Sequence, residues 1–122
     1  MERPLEIPAN DWPSFFDRFS KDHLGARVDV ETRATGEHQL QARDLPLEGI
    51  SAEAEGTRKG AIEVIVGTEP DRLLTHIIDH PTSVKYGSAD GMEEFLEIDS
   101  DSGPTVVHFK SEANPDLVKK VF

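Results

Sequence analysis

The chain has 122 residues, the usual size of one domain, and is long enough to bury a core without disulfides or metals. It contains no cysteine, which excludes disulfides, thiolate metal sites and cysteine nucleophiles and favours a cytoplasmic protein. The 24 Asp and Glu against 13 Lys and Arg give a net charge of -11, which argues against direct binding to nucleic acid.

The first predicted element is an amphipathic helix from about Asp11 to Leu24. Apolar side chains recur there at spacings of three to five residues, with polar residues between them. Asn10 or Asp11 can cap the first amides, and Gly25 offers a left-handed stop. Such a stripe is typical of a helix that covers a core, and a ligand-stacking platform is the alternative. The stripe consists of Trp12, Phe15, Phe16, Phe19 and Leu24.

A β region of about six strands is predicted to follow, from about residue 27 to 111, because the apolar period changes from 3.6 to two. No helical pattern interrupts it, so the strands should be antiparallel. One strand, "RLLTHIID", should continue through "HPTSVKYG" past Pro81. Residues 114–122 should form a tail or a short helix. The predicted fold class is therefore α+β, mainly β, with a small bent sheet or barrel in a single domain of residues 1–122.

The stretch "RDLPLEGI", residues 43–50, places a proline inside a strand-like run. Proline cannot donate to a sheet ladder, so Pro46 predicts a bend where one long strand leaves one sheet and joins another. Leu45 and Leu47 share a parity, and two interpretations of them stay open. They lie at an exposed edge that binds a partner, such as a second copy of the chain, or they belong to the core beneath the helix.

Acidic residues are concentrated between Tyr86 and Phe109, and this stretch contains no Lys or Arg. This run can present a surface to a basic partner, but solubility or a salty cytoplasm explains it as well, and we favour the latter. The N-terminus lacks the apolar core of a signal peptide, and no apolar run has the length of a membrane span, so we expect no membrane partner.

A helix followed by short, bent antiparallel strands resembles the Sm-like or SH3-like architecture at the level of the fold only. A closer resemblance rests on the "W-x-x-F" helix at Trp12 and Phe15, the segment "ARDLPLEGI", the "VIVG" strand followed by "LTHII", and the late hairpin that ends in "HFKS". These features resemble a family of small bacterial proteins known only as a domain of unknown function. The resemblance implies a cytoplasmic, single-domain protein and transfers no catalytic residue.

The best constellation for chemistry is "HIIDHP", with His76, Asp79 and His80, joined by His108 from another strand. Imidazole and carboxylate groups are ligands of catalytic metals, but on a strand His76 and His80 lie too far apart to chelate one ion unless the chain bends at Pro81. Polar strand and turn positions explain the same residues, and we give this interpretation the larger weight.

The sequence thus predicts a non-catalytic binding or protein-interaction module, with a protein partner or a homodimer at Leu45, Pro46 and Leu47. The alternative is a small metal-assisted hydrolase that uses His76 and its neighbours. No nucleotide, phosphate-binding or nucleophile motif is present in the sequence, so we expect no cofactor.

Overall fold

The computed structural model describes residues 4–34, 37–53, 60–68, 72–89 and 93–110. In the described residues one helix follows a two-residue strand and precedes the other strands of a single antiparallel sheet, as the predicted mainly β, α+β class requires. The elements are β1 (Leu5–Glu6), a 3₁₀ turn (Ala9–Asp11), α1 (Trp12–Asp22), β2 (Arg27–Ala34), β3 (Glu37–Ala52), β4 (Ile62–Thr68), β5 (Arg72–Ile78), β6 (Pro81–Ala89), β7 (Glu93–Ser100) and β8 (Thr105–Phe109).

The sheet has eight strands in the order β1-β6-β7-β8-β2-β3-β4-β5, and it is open, with β1 and β5 at its two edges. The prediction of about six strands was too low for two reasons. β1 has only two residues and carries no pattern. The predicted continuous strand is divided at Asp79 and His80, where His80 has a φ of 54°, so β5 pairs with β4 while β6 pairs with β1 and β7.

Only two residues therefore connect β5, at one edge of the sheet, to β6, next to the other edge. Because consecutive Cα atoms are about 3.8 Å apart, the end of β5 must lie within roughly 11 Å of the beginning of β6. The sheet is consequently curled, so that the end of β5 at one edge lies near the beginning of β6 beside the other edge. No ladder joins β5 to β6 among the described pairs.

The helix α1 covers this sheet with its aromatic stripe. Trp12, Phe16 and Phe19 are buried, and the Trp12 indole Nε1 donates a hydrogen bond to the Ile7 carbonyl oxygen at 2.8 Å. The helix ends at Asp22, two residues before the predicted end, and Gly25 adopts the expected left-handed φ of 85°. Leu24 was wrongly placed on the stripe: it lies beyond the helix and is exposed.

β3 changes its pairing partner at Pro46, where a bend from one sheet to another was predicted, but both partners belong to one sheet. Up to this residue β3 pairs with β2, and from Leu47 it pairs with β4. A bulge just before the bend leaves Asp44 at a φ of 54°, and the Asp44 amide donates to Asp29 Oδ1 at 2.7 Å. Arg27 donates to both the carboxylate and the carbonyl of Asp44, which holds the strand at the point where it changes partner.

One apolar cluster joins α1 to the sheet. Its largest fully buried side chains come from every strand except β1 and β5, which accords with those two strands forming the edges. These largest fully buried side chains are Phe16, Val28, Val30, Leu47, Ile62, Val64, Val84, Leu96, Ile98 and Val107.

The predicted terminal helix at 114–122 lies outside the described residues. No helix in the described ranges is long and apolar enough to cross a membrane.

Candidate functional site

The four predicted metal ligands do not form one group. His108 alternates with the buried Val107 and Phe109 and turns to the opposite face of β8, where its Nε2 donates to Glu31 Oε1 at 3.1 Å. His76 lies on the other face, with its Nε2 3.5 Å from the hydroxyl of Thr105. The sheet therefore separates the two imidazoles.

The remaining two candidates follow β5. Asp79 and the exposed His80 form the corner between β5 and β6. Among the described residues, no three His, Asp or Glu side chains are arranged to hold a metal ion.

The segment Leu45, Pro46 and Leu47 lies beside the residues that follow the end of α1. Leu47 is 1% exposed, its amide donates to the Ala26 carbonyl at 2.8 Å, and its carbonyl accepts from the Gly25 amide at the same distance. Leu45 is half-buried against the core. These contacts support the interpretation in which the two leucines are core residues, and an interaction through this segment stays a prediction.

A network of charged side chains occupies the face of the sheet that carries His108. Its centre is Glu31, whose carboxylate accepts hydrogen bonds from His108, from His38 at 2.5 Å and from Arg33 at 3.4 Å. Burial acts to raise the pKa of Glu31, but these hydrogen bonds and the Arg33 charge together hold it below its usual value. Glu31 therefore stays ionised at neutral pH and links β2, β3 and β8, which is a structural role.

An acid pair, Glu97 and Asp99, lies on β7 opposite Lys85 and Ser83 of β6. Burial and a hydrogen bond to Asp99 raise the pKa of Glu97. Burial also acts to raise the pKa of Asp99, but hydrogen bonds from Glu97, from the Ser83 hydroxyl at 2.7 Å and from Lys85 lower it overall. Perturbed carboxyls mark catalytic sites when they line a cleft. Here strand neighbours satisfy them, so they form an ion cluster between two strands.

A third polar group lies where α1 ends. The Tyr86 hydroxyl donates to the Glu94 carboxylate, and His23 Nε2 lies 3.5 Å from the same oxygen. Burial, followed by the hydrogen bond to Glu94, raises the pKa of Tyr86. The imidazole of His23 stacks on Phe19 at a centroid distance of 4.0 Å. A tyrosine with a raised pKa remains a neutral hydrogen-bond donor, so this group fastens the helix end to β6 and β7.

The feature that stands out for binding is β5. Its residues pair with β4 along the whole strand, from Arg72 opposite Thr68 to Ile78 opposite Ile62, and its other side has no partner among the described strands. The strand also carries three of the exposed large apolar side chains, Leu73, Leu74 and Ile77, at 38%, 51% and 38% exposure.

A small cleft of about 80 Å³ opens beside this strand, and we call it the β5 cleft. It is far smaller than the roughly 300–1,000 Å³ of a typical small-molecule pocket, so its scale is that of one side chain. Burial lowers the pKa of His76 in its wall, which keeps the imidazole neutral at pH 7. The lining includes Val30, Ala42, Val64, Val66, Leu74 and His76.

Sequence reasoning missed this edge, although it carries a signal. In "RLLTHII" the apolar residues occupy both parities, since Leu73 and Ile77 alternate with Leu74 and Ile78. Such a run reads as a central strand that is covered on both faces. Only the order of the strands reveals that β5 lies at the edge, where the second apolar face is exposed.

The chain belongs to a family of unknown function (DUF5335), whose model matches residues 4–118. This match confirms the resemblance to a domain of unknown function that the helix and strand motifs indicated. No curated protein and no solved structure shows significant similarity to the chain. The geometry of the described residues is consequently the basis for the functional proposal.

Proposed function

We propose that this member of the family is a non-catalytic protein-interaction module and that the edge of β5 is its binding surface. The observation that carries the proposal is a backbone edge without a described partner on the strand that exposes Leu73, Leu74 and Ile77. An extended segment of a partner protein can add to such an edge through main-chain hydrogen bonds, while its side chains occupy alternate positions on the two faces.

The composition of β5 supports a binding role over a merely exposed edge. Soluble proteins protect an open edge strand with lysine, proline, an inward-pointing charge or a bulge, because an unprotected edge pairs with other chains. Between Leu73 and Ile78 the strand has no such residue, and its pairing with β4 runs without a register shift. An edge with this character is suited to a protein partner.

The bend at Leu45, Pro46 and Leu47 is the second candidate surface. The half-buried Leu45 offers less area to a partner than β5 does, and Leu47 offers almost none. We therefore rank the β5 edge first.

The test is affinity capture from the native cytoplasm with three versions of the chain: wild type, Ile77→Lys and Leu24→Lys. Both replaced side chains are exposed, and both variants add one positive charge, but Leu24 lies beyond α1 and outside β5. We expect specific partners to be retained by Leu24→Lys and lost from Ile77→Lys. Amide hydrogen exchange in Arg72–Ile78 should slow when a retained partner is added back.

The proposal is wrong if all three versions retain the same proteins and exchange in β5 is unchanged by any of them. A fourth version, Leu45→Lys, tests the second surface: partners lost from it and retained by Ile77→Lys would move the binding surface to the bend of β3.

A further inference from the structure

We propose that the β5 edge pairs with the β5 edge of a second copy of this chain, antiparallel and across a two-fold axis at Thr75. This inference rests on the proposed function, because it names the partner for the same edge. Homodimers with two-fold symmetry are the commonest oligomers, and their interface consists of one patch that complements itself. Three properties of β5 meet that requirement.

The first property is the order of its side chains. One face of β5 carries Leu73, Thr75 and Ile77. These residues lie opposite Gly67, Ile65 and Glu63 of β4, in that order. This order, apolar, threonine, apolar, reads the same in both directions. Antiparallel pairing about Thr75 places Leu73 opposite Ile77 of the second copy and Thr75 opposite its own counterpart. Apolar cross-strand pairs and a Thr–Thr pair are among those that stabilise sheets.

The second property is the fit on the other face. The same register places Leu74 of the second copy opposite His76, beside the β5 cleft that Val64 and Val66 line from the inside. Leu74 is the most exposed apolar side chain of the strand, at 51%. In each copy Leu74 is already one wall of the cleft, so the two-fold axis brings a second Leu74 beside that wall, and the apolar surface of each copy covers the cleft of the other. His76 is neutral at pH 7, so covering it traps no charge.

The third property is charge. Two chains that each carry a net charge of -11 repel each other. The described residues of β5, from Arg72 to Ile78, include no acid and one arginine, so the edge is a surface where two acidic copies can approach. Salt screens the remaining repulsion. The dimer should therefore strengthen as ionic strength rises, whereas a contact made by opposite charges would weaken.

The interface should be weak. Pairing of two seven-residue strands with their flanking side chains lies below the roughly 1,200 Å² of standard interfaces, the range of transient complexes. We expect a monomer–dimer equilibrium that depends on concentration, which sedimentation velocity measures directly. Wild type and Leu24→Lys should dimerise between micromolar and millimolar concentrations, and more strongly in high salt. Leu73→Lys and Ile77→Lys should remain folded monomers.

The register has its own test, because the chain contains no cysteine. Opposite side chains in an antiparallel pair have Cβ atoms about 4.5–5.5 Å apart, close to the roughly 3.5–4.5 Å that a disulfide requires. Thr75→Cys should therefore form a disulfide-linked dimer on mild oxidation, many times faster than Leu73→Cys or Leu24→Cys. In the proposed register Leu73 meets Ile77 and not another Leu73, so Leu73→Cys is a matched control on the same strand.

A wild type that stays monomeric at millimolar concentration in high salt would overturn the dimer. So would a dimer that survives both lysine variants, or one in which Leu73→Cys links as fast as Thr75→Cys. These outcomes can be told apart from a failure of the proposed function. If the chain is monomeric but captures partners in a way that depends on Ile77, only the second copy is refuted as the partner. If there is neither a dimer nor capture that depends on Ile77, the β5 edge is refuted as a binding surface.

Discussion

Ser20 connects the helix to the sheet through one hydroxyl. Its Oγ donates to the Ile50 carbonyl oxygen at 2.9 Å and accepts from the Ile50 amide at 2.8 Å. These bonds satisfy the backbone amide and carbonyl of Ile50, just past the register shift of β3 between Leu47 and Gly49. The serine thus supplies the pairing that a neighbouring strand provides elsewhere.

We expect Ser20→Ala to lower the free energy of unfolding by about 1–3 kcal/mol, because it leaves a partly buried amide and carbonyl without partners. Ser14→Ala is the matched control, since the exposed Ser14 hydroxyl only donates to the Asp11 carbonyl at 3.2 Å. It should change stability by less than about 0.5 kcal/mol. Urea unfolding followed by fluorescence of Trp12 measures both variants, and equal losses would contradict this role of Ser20.

Glu97 makes the second prediction at the scale of the residue. Its pKa is raised in the folded chain by burial and by its hydrogen bond to Asp99, so the fold retains its proton more strongly than the unfolded chain does. Its stabilising contribution is complete below the unfolded pKa and is lost as pH rises through the folded pKa. Above its unfolded pKa, Glu97 therefore costs stability.

Glu97→Gln should raise the melting temperature at pH 7 and change it less at pH 4, because the amide still donates to Asp99 without adding a charge. The gain should stay below about 1 kcal/mol, since the group is partly exposed and solvent screens it. Glu37→Gln, at an exposed position at the start of β3, removes the same charge and controls for net charge. A lower melting temperature for Glu97→Gln at pH 7 would contradict the argument.

At the scale of the element, β4 and β5 depend on Gly67. This glycine has a φ of 116°, and a Cβ atom added there would lie 2.0 Å from the Arg72 carbonyl oxygen. This position near the end of β4 therefore admits no side chain. Gly67→Ala should cost several kcal/mol, since backbone strain of about 1–3 kcal/mol adds to the clash with β5.

Gly25→Ala is the matched control, because Gly25 also has a positive φ, of 85°, but no atom lies within 4 Å of its added Cβ. It should cost about 1 kcal/mol from the backbone alone. Denaturant unfolding compares the two variants, and hydrogen exchange in β5 should accelerate only in Gly67→Ala. A smaller loss for Gly67→Ala than for Gly25→Ala would refute the close approach.

The elements that sequence reasoning predicted are those that local patterns determine. The aromatic period marks α1, and Pro46 marks the bend of β3, because each signal lies within one element. The break at His80 escaped prediction because a positive φ at a residue other than glycine is uncommon and carries no local sequence signal. The edge position of β5 and the hydrogen bonds of Glu31 depend on residues from distant strands. Residue 31 meets residue 108 across 77 positions, a separation that no local pattern encodes.

At the scale of the whole molecule, acidity and the open edge act together. Several of the described carboxylates are engaged by neighbouring strands, among them Glu31 by His38 and His108, and Asp99 by Lys85. Charge repulsion between chains limits nonspecific association. An acidic surface therefore limits general aggregation through an exposed apolar strand edge, and under the proposed function it leaves partners to be selected by their fit to β5.

The fold as a whole depends on the aromatic stripe of α1, because the helix is the layer that closes the core over the sheet. Phe16 is 0% exposed and contacts Phe15 edge-on at a centroid distance of 5.3 Å. Phe16→Asp buries an unpaired charge, which should cost on the order of several kcal/mol against a total stability of about 5–15 kcal/mol. We expect this variant to be largely unfolded by circular dichroism.

Ser14→Asp adds the same charge at an exposed position of the same helix and should retain the β-rich spectrum of wild type. If Phe16→Asp is instead stable and monodisperse, the stripe does not cover the core, and its aromatic side chains become candidates for a ligand-binding face.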